Sequence, residues 1–266
     1  MSTFASDRST EPPTTRHNRP KLDLGNEMHL SDKKALRKQI GRVLSALPEH
    51  EVQSQSAKAT DLLLSLPQYR NAKTISIFMS MPSGEINTER LLKHALAEGK
   101  RVFIPYIYKA SKENVQDLPA SIMDMLCLTS KEDRATLKPD KWGIPSIEKA
   151  SVQDRLNSFG GKGLSNGEPP RHEAAGLDLI VMPSMAFDAQ MNRLGHGKGY
   201  YDNFLTRYCS GKDAQGLQRM KPFLVGFALA EQLLPSPYRL PTESWDWKVD
   251  ATIVGGVDSE ARLIVP

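Results

Sequence analysis

KTISIFMSMPSGEINTERLLKHALAEGKRVFIPYIY, residues 73–108, decides the fold. Its first part, Lys73–Ser80, carries β-branched residues in alternation and reads as a strand. A turn with Pro82, Ser83 and Gly84 follows. Thr88 can cap a helix over Glu89–Glu98, whose apolar face is Leu91, Leu92, Ala95 and Leu96, and Gly99 stands where a helix C′ residue belongs. Arg101–Tyr108 then reads as a second strand. Strand, helix, strand in this order predicts parallel pairing through a right-handed crossover.

Upstream, Leu36, Ile40, Val43, Leu44 and Leu47 recur at helical spacing, with Ser31 as N-cap and Pro48 as the stop. A second helix is predicted from Glu49 to Leu66, closed by Pro67. Downstream, Asp124–Leu128 reads as a weaker strand and Leu177–Met182 as a strong buried one. Tyr200–Cys209 suits a helix, and Pro222–Ala230 and Val249–Val254 suit strands. Alternating strands and helices place the chain in the α/β class, with a mostly parallel sheet between helix layers. Residues 1–28, rich in Ser, Thr, Pro and charge, are expected to be a disordered arm. Residues 29–266 are expected to form a single α/β domain, with surface loop insertions near 151–173 and 209–221.

The 266 residues exceed one minimal domain and supply a sizeable core. No apolar stretch approaches the ~20 residues that span a bilayer, and the N-terminus lacks the apolar core of a signal peptide. Acidic residues within the arm argue against a mitochondrial presequence, so the expected compartment is the cytoplasm, with the mitochondrion as the alternative. The two cysteines, Cys127 and Cys209, make no disulfide framework and fit a reducing environment. A net charge of +4 suits anionic small ligands and falls short of a nucleic-acid surface.

The segment richest in chemistry is DAQMNRLGHGKGYYD, residues 188–202. Gly195, Gly197 and Gly199 alternate, which lets backbone N–H groups approach an anion without interference from Cβ atoms. The segment lies between a buried strand and a helix, where the helix dipole favours phosphate, and Arg193 and Lys198 add cationic donors. It is neither common nucleotide loop: Tyr200 replaces the last glycine of a dinucleotide fingerprint, and Lys198 precedes Gly199 rather than Ser or Thr. A plain tight connection is the alternative.

NRLGHGKGYYD (Asn192–Asp202) resembles the signature of the 5-formyltetrahydrofolate cyclo-ligase family, also called methenyltetrahydrofolate synthetase. Other segments agree in order: KKALR (Lys33–Arg37), SIFMSMPSGEINT (Ser76–Thr88), WGIP (Trp142–Pro145), LDLIVMPSMAFD (Leu177–Asp188) and KVD (Lys248–Asp250). The resemblance implies a three-layer α/β/α fold similar to the ribose-phosphate isomerase and CoA-transferase-like group. The expected partners are small molecules, reduced folate and ATP, with neither nucleic acid nor membrane, and the expected state is a monomer. The resemblance also implies a reaction: ATP, with Mg²⁺, drives cyclisation of 5-formyltetrahydrofolate to 5,10-methenyltetrahydrofolate, through a phosphorylated formyl group, with release of ADP and phosphate.

The resemblance carries roles to individual residues. Lys33, Lys34 and Arg37 contact ATP phosphates, together with the run Arg193, Leu194, Gly195, His196, Gly197, Lys198, Gly199, Tyr200 and Tyr201. Lys198 and Arg193 stabilise the transferred charge. Met79, Glu85 and Trp142 bind the folate, with His196 to Tyr200 shared between both substrates. Asp202 and Asp250 hold Mg²⁺. Read without the resemblance, the basic helix is a solvated face, Asp202 a dipole-stabilising acid at a helix start, and Asp250 a cap on a strand. The competing functional reading is a non-catalytic module that binds folates or phosphorylated ligands.

Overall fold

In the computed structural model the described residues open with three helices, α1 (Lys33–Ser45), α2 (Glu49–Ser65) and the short α3 (Pro67–Asn71). The quoted stretch then gives β1 (Thr74–Ile77), α4 (Glu89–Ala97) and β2 (Arg101–Lys109), followed by β3 (Ser121–Leu128). A small excursion contains α5 (Lys131–Ala135), β4 (Lys138–Pro139) and β5 (Pro145–Ser146). The chain re-enters at β6 (Leu179–Met182), turns through β7 (Ala186–Phe187) and β8 (Arg193–Leu194), and enters α6 (Tyr200–Ser210). It ends with β9 (Phe223–Ala228), β10 (Ala251–Val254) and β11 (Arg262–Ile264). The structure describes residues 32–110, 119–167, 176–212, 216 and 218–266; the expected arm over 1–28 lies outside them.

Local chemistry explains the element ends. Asp32 caps α1, its Oδ1 accepting from the N–H groups of Lys34 and Ala35 at 2.8 and 3.1 Å, and the expected cap Ser31 lies outside the described residues. Pro67 does more than end α2: it opens α3, where its fixed φ and missing N–H suit the first turn. Thr88 occupies the N-cap position of α4, but its hydroxyl donates to the Phe78 carbonyl at 2.7 Å, and Asn87 Oδ1 accepts from Glu89 N–H instead.

The main sheet of the described residues runs β11-β10-β9-β6-β1-β2-β3. β1 pairs in parallel with β2 and β6, and β6-β9-β10 continue in parallel, as the β-α-β pattern predicts. The two edge strands, β3 and β11, are antiparallel. β3 is longer than its sequence suggests: eight residues in unbroken register with β2, from Val102 opposite Leu128 to Lys109 opposite Ser121. Asp124 hides this strand in the sequence. It is fully buried, and its oxygens accept from Tyr108 Oη, Asn157 Nδ2, Ser165 N–H and Ser165 Oγ, with Arg207 alongside at 3.4 Å.

That network corrects the reading of 151–173 as a surface insertion. The described part folds inward. Ser158 N–H donates to Met125 O and Cys127 N–H to Leu156 O, which covers the exposed edge of β3. Phe159 is 1% exposed and stacks edge-on against Phe204 and Tyr208 of α6. The 209–221 loop falls partly outside the described residues.

Two cores flank the sheet. α1, α2 and α4 bury Leu36, Ile40, Leu63 and Leu91 against Ile75, Ile77, Val181 and Val225 on one face. α6 and the Phe159 segment bury Phe204, Leu205 and Tyr208 against Ile180, Met182, Met123 and Leu224 on the other. The result is helices on both faces of a mostly parallel sheet. Because β1, β6, β9 and β10 share one direction, the turns that follow β1 and β6 emerge at the same edge, where ligands bind in open α/β sheets.

Candidate functional site

The glycine segment is launched from a rigid hairpin. β7 and β8 pair antiparallel, and the buried Asp188 carboxylate organises their turn, accepting from Gln190 N–H, Asn192 N–H, Asn192 Nδ2 and Leu240 N–H at 2.8–2.9 Å. Met191 adopts a left-handed φ of 64°, uncommon for a side-chain-bearing residue, and its carbonyl accepts from Val249 N–H at 3.0 Å. The loop then runs through Gly197 (φ 87°) to Gly199 (φ 64°), the N-cap of α6. No side chain caps this helix start, so the first N–H groups stay available to an anion.

α1 lies along the loop and orders the site. At its centre, Arg37 Nε donates to the Gly195 carbonyl at 2.7 Å. A Cβ at Gly197 would come within 3.2 Å of the Arg37 guanidinium carbon. At its N-terminal end, Lys33 Nζ pairs with Asp246 at 2.9 Å and Glu243 at 3.9 Å. At its C-terminal end, Leu44 backs Gly84, whose virtual Cβ lies 3.5 Å from the Leu44 carbonyl. Three segments distant in sequence are thus strung along one helix: 243–246, 195–199 and 82–85.

The cations divide into two kinds. Lys34 and Lys198 are exposed and pair with no carboxylate among the described residues. Arg193 is a buried strut: its Nη2 donates to Asp202 Oδ1 at 2.6 Å, its guanidinium lies 5.7 Å from the Tyr201 ring centre, and its Nε is buried without a partner among the described residues. The part of it given over to Asp202 is not free for a phosphate. His196 is solvent-accessible yet crowded, and desolvation followed by the Arg37 charge holds its pKa below the usual range.

The turn after β1 brings a carboxyl to the same edge. Glu85 is 8% exposed, and its Oε2 accepts from Met81 N–H at 2.7 Å. Burial raises its pKa from 4.5 to about 7, only partly offset by that hydrogen bond. The Tyr201 hydroxyl is buried with no hydrogen-bond partner among the described residues, and its pKa is pushed up by burial and then by the Glu85 charge. An acid that changes protonation state near pH 7 and a hydroxyl left without a partner among the described residues together offer polar contacts to a ligand. Tyr200 is half-buried at the loop. Met79 packs in the core beneath this turn. Trp142 is 58% exposed, with Lys141 Nζ 4.2 Å above its ring, and the Gly143 backbone lies against Pro82.

The two expected metal ligands do not meet. Asp202, in the first turn of α6, accepts from Arg193 and from Trp247 N–H at 3.0 Å, both on Oδ1. Among the described residues Oδ2 has no hydrogen-bond donor, which fits a Mg²⁺ ion held by one carboxylate, phosphate oxygens and water. Asp250 directly precedes β10, at the opposite edge of the parallel strands. There it pairs with Lys221 at 2.6 Å and accepts from Leu224 N–H at 2.8 Å. It does not fit the same ion. A cavity of about 830 Å³ also opens at that opposite edge, beside Arg70, Lys73, Lys100 and Arg101, and contains none of the predicted site residues.

The sequence reading passed over Glu243–Trp247, which the structure ties to both α1 and α6. The signal was its position: it runs directly into the KVD motif at 248–250.

Residues 29–255 match the 5-formyltetrahydrofolate cyclo-ligase family. A 5-formyltetrahydrofolate cyclo-ligase of Mus musculus is 34% identical over 223 residues, which cover 84% of this chain and 93% of the mouse protein. A probable 5-formyltetrahydrofolate cyclo-ligase of Schizosaccharomyces pombe is 32% identical over 223 residues, covering 83% and 94%. Among solved structures, the NMR structure of Aquifex aeolicus 5,10-methenyltetrahydrofolate synthetase superposes with a TM-score of 0.58 at 25% identity, over 87% of this chain and 92% of that one.

Proposed function

The chain belongs to the 5-formyltetrahydrofolate cyclo-ligase family and catalyses conversion of 5-formyltetrahydrofolate to the 5,10-methenyl form, and from that premise we propose how its residues divide the work. ATP is the co-substrate. Its triphosphate lies in the 195–199 cradle against α1, and the reduced folate lies at the 79–85 turn. The observation that carries this reading is the Arg37–Gly195 hydrogen bond, which fixes the basic helix against the glycine loop.

The formyl group is an amide, and its oxygen is a poor leaving group. Transfer of the γ-phosphoryl group to that oxygen, with the N5 lone pair moving into the C–N bond, releases ADP and gives an imidate-like phosphate. The N10 nitrogen then attacks the activated carbon. Loss of the N10 proton and departure of inorganic phosphate, carrying the former formyl oxygen, leave the methenyl bridge. No protein nucleophile is required; positioning and charge neutralisation suffice. Lys198, exposed and paired with no carboxylate among the described residues, is the group for the equatorial charge of the transferring phosphoryl. Lys34 and Arg37 serve the remaining phosphates. Arg193 acts by holding Asp202 and Tyr201 in place.

Mg²⁺ enters with the nucleotide as part of the substrate. Asp202 is its protein ligand, and the ion supplies neutralisation of phosphate charge. Glu85, with its pKa near 7, and the Tyr201 hydroxyl take the polar edge of the pterin. The protein acts as a monomer on small molecules. The free thiols Cys127 and Cys209 suit a reducing compartment, and the cytoplasm is the proposed one. Among the described residues no helix is long and apolar enough to cross a membrane.

The test is direct. Purified protein with 5-formyltetrahydrofolate, ATP and Mg²⁺ in mildly acidic buffer yields the near-ultraviolet absorbance of the methenyl product, with one ADP per product. Folate binding without ATP turnover contradicts the reading and returns the non-catalytic module.

A further inference from the structure

We propose that Trp245 is the surface on which the adenine ring of ATP stacks; the inference rests on the placement of the triphosphate argued above. Trp245 sits in a turn closed by Asp246 N–H to Glu243 O at 3.1 Å and by Glu243 N–H to Asp246 Oδ2 at 2.9 Å. Both flanks are clamped to the elements that line the phosphate cradle. Asp246 bonds Lys33 on α1, Trp247 N–H bonds Asp202 on α6, and the Trp247 indole N–H bonds Thr206 at 3.0 Å. The backbone is therefore held, while the Trp245 side chain is left 66% exposed. A large apolar ring on a fixed turn beside the proposed phosphate cradle is the side chain best suited to hold a flat heterocycle.

The order of segments along α1 selects which heterocycle. Arg37, at the centre, meets the glycine loop, and Leu44 backs the turn that leads to Glu85, on the folate side. The γ-phosphoryl group must face that side to reach the formyl oxygen. The nucleoside then extends the other way, toward Lys33, which is one helical turn and about 6 Å from Arg37. The turn docked on Lys33 is the one that carries Trp245. Of the other tryptophans, Trp142 stands on the folate side and already carries a lysine over its ring, and Trp247 has its indole N–H committed to Thr206.

The experiment compares wild type, Trp245→Ala and Trp245→Phe. In Trp245→Ala, KM for ATP rises about tenfold. Its kcat at saturating ATP and its KM for 5-formyltetrahydrofolate stay within twofold of wild type, and Trp245→Phe recovers most of the loss. ADP quenches the tryptophan emission of wild type, and Trp245→Phe loses that quench. Inorganic tripolyphosphate competes with ATP equally well in all three proteins. An unmoved KM for ATP with the quench intact in Trp245→Phe, while tripolyphosphate still competes, overturns the stacking role alone. A rise in KM for the folate instead of ATP also overturns it. Failure of tripolyphosphate to compete in wild type overturns the phosphate placement and the stacking proposal with it.

Discussion

Arg37 Nε donates to the carbonyl of Gly195 at 2.7 Å, joining residues 158 positions apart. The bond sets a basic helix against the glycine loop as one wall of the proposed phosphate cradle, and it uses only one of the five guanidinium N–H donors. Arg37→Ala should raise KM for ATP at least tenfold and cost about 1 kcal/mol of stability. Arg37→Lys should not recover ATP affinity, because an ammonium cannot bond the carbonyl and present a planar fork together. Steady-state kinetics with ATP varied, paired with urea denaturation, checks both statements.

Lys198 is exposed and holds no carboxylate among the described residues, so its removal leaves the fold intact. Lys198→Ala should lower kcat by roughly 10²–10³-fold, the scale of losing one preorganised charge-stabilising donor. Its thermal midpoint should stay within about 2 °C of wild type. An unchanged kcat contradicts the assignment.

Asp202 and Asp250 separate in a paired experiment. Asp202→Asn should raise the Mg²⁺ concentration needed for half-maximal rate. It should also cost about 3 kcal/mol, because Arg193 stays buried without its partner. Asp250→Asn should leave the Mg²⁺ titration unchanged and cost about 1 kcal/mol through the Lys221 and Leu224 contacts. A shifted titration in Asp250→Asn alone contradicts the placement of the ion.

Glu85 makes stability depend on pH in an unusual sense for a carboxyl. Its pKa is raised from 4.5 to about 7, so the folded state holds a proton that the unfolded chain has lost across that window. Stability should therefore fall as pH rises from about 4.5 to about 7 and level off above, by on the order of 3 kcal/mol at most. Glu85→Gln should remove this fall. Urea denaturation at pH 5, 6, 7 and 8 compares the two proteins, and parallel curves contradict a buried Glu85 carboxyl with a raised pKa.

What the sequence made legible was local or repeated in pattern. The 73–108 stretch alternates clearly enough to give a parallel pair and its crossover. The glycines of 195–199 mark a candidate anion loop because their spacing survives without long-range information, and the structure gives Gly197 and Gly199 positive φ. β3 was less legible because Asp124 interrupts its apolar run, and only partners from Asn157, Ser165 and Arg207 make that charge tolerable inside. The same partners draw in a loop whose Gly, Ser and Pro content suggests surface. Arg193 reads as a phosphate donor in the motif but sits on the hairpin strand β8, where burial commits it to Asp202. The position of Asp250 was available all along: an aspartate just ahead of a parallel strand lies at the edge opposite the ligand loops.

The most direct test is a crystal structure of the protein with a non-hydrolysable ATP analogue and 5-formyltetrahydrofolate. The phosphates should accept hydrogen bonds from backbone N–H groups of 195–200, with Arg37 and Lys198 in contact and the γ-phosphate facing a formyl oxygen beside Glu85. A nucleotide bound at another edge of the sheet, with the 195–199 loop clear of phosphate, contradicts the account.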